Sequence, residues 1–129
     1  MAALSYLTFG LAISLGLGSI LTPKFLDWLR QNLLSAIDAE YHVESFGALD
    51  WLVGVIERLF FTIIVGFDVS GAAVAMVSWI LVKMATNWHR IIESGDNRQR
   101  GLALCSMMGS MVSLFFALVG GLIIRAGMK

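Results

Sequence analysis

The chain has 129 residues, of which 58% are hydrophobic and 14% charged, with a formal net charge of zero. Soluble domains average about 45–50% apolar and about 25% charged residues, so a mean hydropathy of +0.83 excludes a soluble enzyme, a disordered chain and a disulfide scaffold, and the zero net charge argues against a nucleic-acid partner. The single cysteine, Cys105, allows neither an internal disulfide nor a thiolate metal cluster.

A spanning helix needs about 20 mostly apolar residues. Residues 2–21 supply the first such stretch and carry no charge. No basic residue precedes it and no small-residue cleavage site follows, so it reads as a retained first span rather than a signal peptide. Thr22-Pro23 then reads as its end, with Thr22 capping a new helix and Pro23 in that helix's first position. Over residues 24–40, Phe25, Trp28, Leu29, Leu33 and Ile37 recur at helical spacing between Lys24, Asp27, Arg30, Gln31 and Asp38. That pattern predicts an amphipathic helix lying in a membrane interface.

A polar link over 41–45 leads to a second spanning segment, 46–67. Asp68-Val69-Ser70-Gly71 reads as a turn, with Asp68 or Ser70 capping a third segment over 70–88. Ser94-Gly95-Asp96-Asn97 marks another turn, followed by Arg98, Arg100 and a fourth segment over 102–124. The expected fold is an all-α polytopic membrane protein. It has four transmembrane helices, plus an amphipathic interfacial helix after the first, in one domain over 1–129.

Charge asymmetry gives an expected orientation. The 1–2 and 3–4 connections carry Lys24, Arg30, Arg90, Arg98 and Arg100, whereas the opposite side carries Arg125 and Lys129. The positive-inside rule puts both connections in the cytoplasm and both termini outside. Trp28, Trp51 and Trp88 all fall at the expected cytoplasmic boundary, where aromatic anchors collect.

Glu57, Arg58 and Lys83 fall inside the expected spans. Each costs about 2.5–3.5 kcal/mol at a helix centre on insertion scales, so the second span needs a partner helix or water. Counting inward from Trp51 and Trp88, Glu57 lies six residues deep and Lys83 five. At 1.5 Å per residue those depths are roughly 9 and 8 Å, which predicts an ion pair across the hairpin. Asp50 lies one heptad before Glu57 and joins the same polar stripe. Arg58 points about 100° away. Its options are to snorkel, to reach Asp38, Glu40 or Glu44, or to cross to another subunit. The polar cluster fixes hairpin register, or it lines a path for an ion or headgroup.

Small residues mark packing faces: Gly10, Ser14 and Gly18 on the first helix, Gly71 and Ala75 on the third, and Gly109, Ser113, Ala117 and Gly121 on the fourth. Four short helices enclose little volume, so a cavity is expected to need an oligomer. Met107, Met108 and Met111 read as packing residues, and His42 and His89 lie far apart. No metal motif and no nucleophile–base pair is visible, so no cofactor or metal is expected.

From Ala48 onward the chain resembles a group of small bacterial integral membrane proteins with no established activity. The residues carrying the likeness are Gly54-Val55-Ile56-Glu57-Arg58-Leu59, then Trp79-Ile80-Leu81-Val82-Lys83, then the small-residue-rich run 109–122. The resemblance implies a bacterial inner-membrane location and no mechanism. The leading expectation is an oligomeric channel or transporter-like protein, with Glu57, Arg58 and Lys83 as its polar path and Asp50 at the cytoplasmic mouth. The alternative is a non-catalytic accessory subunit of a larger membrane complex. Expected partners are the lipid bilayer and either further copies of the chain or another membrane protein, with no nucleic acid. An enzyme is disfavoured.

Overall fold

The computed structural model describes residues 2–34, 48–93 and 97–129. All regular structure among them is helical. In chain order, α1 spans Ala2–Leu11, a π-helical stretch spans Ala12–Leu17, and α2 spans Gly18–Leu34. They are followed by α3 (Ala48–Gly66), α4 (Ala72–Glu93) and α5 (Asn97–Met128).

The expected break at Thr22-Pro23 does not occur. Helical backbone runs from Ala2 to Leu34, and Pro23 sits inside α2. Proline deprives the helix of one N–H, but packing holds the next turns in place. Leu26 and Leu29 are buried, and Leu26 lies over Gly109 of α5, where an added Cβ would touch its methyl groups. The first part of the expected interfacial helix is therefore a continuation of the N-terminal helix, docked on α5. Residues 35–40 of that expectation, with Asp38 and Glu40, lie outside the described residues, as does Glu44. Thr22 is no helix cap: its buried hydroxyl has no partner among the described residues.

At 32 residues and 1.5 Å per residue, α5 is about 48 Å long, and it packs against every other element. Its small residues make this possible. A Cβ on Gly10 would meet the carbonyl oxygen of Gly120, and one on Gly121 would meet Val65. Ser14, Ser113 and Ala117 are buried along the same seams. Gly71 and Ala75 do not pack within the chain: both are exposed, and nothing lies within 4 Å of where a Gly71 Cβ would stand. Gly71 instead serves the α3–α4 turn with φ +86°, a conformation that costs glycine little. Asp68 also turns left-handed, with φ +53°. Its carboxylate accepts from Arg125 at 2.7 Å rather than capping α4.

Phe61, Leu114 and Ala117 form the apolar core, flanked by Ile64, Met76 and Ile80. Two helices are long and apolar enough to cross a membrane, Ala3–Asn32 and Arg100–Met128. The other two expected spans fall short by that standard. Asp50, Glu57 and Arg58 interrupt α3, and Lys83, Asn87 and His89 dilute α4.

Candidate functional site

Adjacent residues of α3 carry the site, and helical geometry sends them to different neighbours. Glu57 turns toward α4. Its carboxylate forms an ion pair with the Lys83 ammonium and accepts a hydrogen bond from Trp79 Nε1 at 3.1 Å. Trp79 and Lys83 are four residues apart, so one face of α4 delivers both donors. The ammonium lies 5.8 Å from the Trp79 ring centroid, within cation–π range, and donates to Ser110 of α5 at 3.1 Å. The Ser110 hydroxyl in turn donates to the Ser106 carbonyl at 3.2 Å. Lys83 thus ties α4 to both α3 and α5.

Arg58 takes the other direction. It is only 3% exposed. It donates from Nη1 to Ser113 of α5 at 3.1 Å and from Nη2 to Ser19 of α2 at 2.9 Å. Among the described residues no carboxylate stands within ion-pair distance of it. Hydroxyls on two neighbouring helices receive the guanidinium instead of headgroups at the surface; the expected acids Asp38, Glu40 and Glu44 lie outside the described residues. Gly18 makes the room: a Cβ there would stand 2.7 Å from Arg58 Cδ.

One turn further along α3, Thr62 donates to the Ala117 carbonyl at 3.3 Å. Its single proton is thereby used, so the 2.6 Å contact with Ser14 has the Ser14 hydroxyl as donor. Arg58 and Thr62 therefore both meet the N-terminal helix, through Ser19 and Ser14. In a regular α-helix residues five apart point about 140° from each other. The π-helical stretch removes that offset: the Gly18 N–H reaches back to the Ile13 carbonyl, an i→i+5 bond.

Glu57, Arg58, Lys83 and their serine partners line a half-open cavity of about 290 Å³ between α2, α3, α4 and α5. Arg30 and Trp51 lie toward one end of it and Ser19, Arg58 and Ser113 toward the other, with Glu57 and Lys83 along its wall. Drug-sized ligands occupy cavities of about 300–1,000 Å³, so this one suits a small polar group. It is formed within one chain, against the expectation that a cavity would need an oligomer. Asp50 sits in the first turn of α3, and its side chain lies outside the described residues. Trp28, Trp51 and Trp88 are all more than half exposed.

Sequence reading missed Ser19, Trp79, Ser106 and Ser110, and treated Ser113 as packing alone. Ser106, Ser110 and Ser113 did leave a signal, since their spacing places three hydroxyls on one face of an apolar helix. Ser19 left none, because the π-helical stretch hides its alignment with Ser14.

No family model matches the chain. No curated protein and no solved structure matches it either.

Proposed function

We propose that this chain is an integral membrane protein whose polar cavity is the solute site of a small channel or transporter. The carrying observation is the cavity itself: Glu57 and Arg58, 6% and 3% exposed, line it inside a molecule whose outer surface is apolar. Leu4, Phe9, Val74, Leu81 and Phe115 are each more than half exposed. In the most apolar 18-residue stretches of the two long helices only 17% and 39% of residues are buried, far from the pattern of a soluble core helix. A hydrocarbon surround accounts for such surfaces, since contiguous apolar patches of this extent are rare on soluble monomers.

In this reading α3 and α4 also cross the bilayer, giving four spans. Their charges face the cavity, where pairing and hydroxyl contacts lower the insertion cost. The distribution of basic residues supports placing the α4–α5 connection in the cytoplasm of a bacterial inner membrane, with both termini outside. Assembly into a homo-oligomer would place several such cavities around one axis.

A second reading, an accessory subunit of a larger membrane complex, draws on α4. Its outer row Val74, Val77, Leu81 and Trp88 is exposed, and among the described residues α4 packs on α3 and α5 alone. Reconstitution into liposomes separates the two. The channel or transporter reading expects ion or solute flux from the purified protein that falls at least tenfold in Arg58→Gln. Flux-silent protein that purifies only with a second polypeptide would overturn it in favour of the accessory role.

A further inference from the structure

We propose that the cavity binds an oxyanion, a phosphate or carboxylate group, with Arg58 as its anchor. This rests on reading the cavity as a solute site and names the chemistry that site selects. Ser19 and Ser113 each accept from Arg58, so each must direct its own proton elsewhere, and neither finds an acceptor among the described residues. The Nε–H of Arg58 is likewise without a partner. Two further guanidinium protons, one on each Nη, remain beyond the two bonds to serine. The Lys83 ammonium has three protons, of which Glu57 and Ser110 engage two.

Acceptors are scarce by comparison. Glu57 is the one carboxylate among the described residues lining the cavity, and its Oε1 takes both the Lys83 ammonium and the Trp79 N–H. Arg30, Arg58 and Lys83 against Glu57 leave two positive charges among the described lining residues, and hydroxyls solvate a guanidinium without neutralising it. A wall rich in donors and short of acceptors rejects a cation, which needs lone pairs, and suits a ligand that brings lone pairs and negative charge. An oxyanion placed between Arg58, Ser19 and Ser113 would accept from all three. Lys83 stands on the adjoining wall, with one ammonium proton left beyond those engaged by Glu57 and Ser110.

The same oxyanion chemistry has two sources, a free anion entering from water and the phosphate of an anionic lipid entering through the open side. The test uses the full chain in phosphatidylcholine nanodiscs, titrated with inorganic phosphate against chloride at equal ionic strength. Tryptophan fluorescence is the readout, because Trp51 lines the cavity and Trp79 bonds the wall residue Glu57. A parallel arm uses nanodiscs containing phosphatidylglycerol, with retained lipid counted by native mass spectrometry. A saturable response to phosphate identifies the free anion. One phosphatidylglycerol retained per chain, without a phosphate response, identifies the headgroup.

In the responding arm, Arg58→Gln should weaken binding at least tenfold and Glu57→Gln should strengthen it. Should Arg58→Gln fail to fold, the Ser19→Ala/Ser113→Ala double variant decides, with a loss of threefold or more expected. Absence of binding in both arms, binding unchanged in the serine variant, or a saturable response to potassium or choline instead would each overturn the proposal. Phosphate binding without any liposome flux would sink the transport reading and leave this one standing. Flux carrying only cations would do the reverse.

Discussion

Ser14 and Ser19, five residues apart on the N-terminal helix, both reach α3. Ser14 bonds Thr62 at 2.6 Å and Ser19 accepts from Arg58 at 2.9 Å. The π-helical stretch between Ala12 and Leu17 is what brings them to one side, and it makes a prediction about chain length. Gly16 has nothing within 4 Å of where its Cβ would stand. Deleting Gly16 should convert the π turn to a regular one, place the two serines four apart and leave both bonds in place. Deleting Leu21, which is also exposed, should rotate everything before it by about 100° and break the Ser14–Thr62 contact. Thermal unfolding in detergent should show the first deletion tolerated and the second strongly destabilised.

Gly18 leaves space that Arg58 occupies. Gly18→Ala should push the guanidinium off Ser19 and Ser113, at a cost of about 1–3 kcal/mol for overpacking. Gly16→Ala should be neutral or slightly stabilising, since alanine is the better helix former. Equal melting temperatures for the two variants would refute the close contact at Gly18.

The Glu57–Lys83 pair should behave as a coupled unit. Removing one partner of a fully buried pair costs about 3–5 kcal/mol. Lys83 keeps 27% of its side chain exposed, so about 2 kcal/mol is expected for Glu57→Gln or Lys83→Met alone. The double variant should lose less than the sum of the singles. Strict additivity in a double-mutant cycle would show that the two groups do not interact.

At the opposite end, Asp68 and Arg125 pair at 2.7 Å in the open, at 61% and 38% side-chain exposure. Exposed pairs contribute about 0–1 kcal/mol, so Arg125→Gln should change the melting temperature little. The left-handed backbone at Asp68 matters more. Asp68→Val should cost about 1–2 kcal/mol, whereas Asp68→Gly should be tolerated.

The helical class, the small-residue seams and the charged residues Glu57 and Lys83 were legible because each depends on composition or on helical period. Depth counted from Trp51 and Trp88 brought Glu57 and Lys83 to one level without fixing helix rotation. The course of Arg58 was not legible, since its partners Ser19 and Ser113 lie on two other helices at positions no local pattern connects. Pro23 misled for a physical reason. Its effect on a helix depends on whether later turns are held, and Leu26 and Leu29 hold them through contacts distant in sequence. Asp68 misled likewise, because its left-handed backbone and its bond to Arg125 come from the return of α5 beside the turn.

The central claim is a donor-rich cavity within a bilayer, and charged thiol reagents test both halves together. With Cys105 replaced by serine, Ser110→Cys and Val77→Cys would be labelled in native membranes by anionic and cationic methanethiosulfonates, each normalised to its rate with a free thiol in water. Val77, exposed on the outer face of α4, should react with neither reagent. Ser110, on the cavity wall, should react at least tenfold faster with the anionic one. Rapid labelling of Val77→Cys would contradict the membrane setting, and a cationic preference at Ser110→Cys would contradict the chemistry of the cavity.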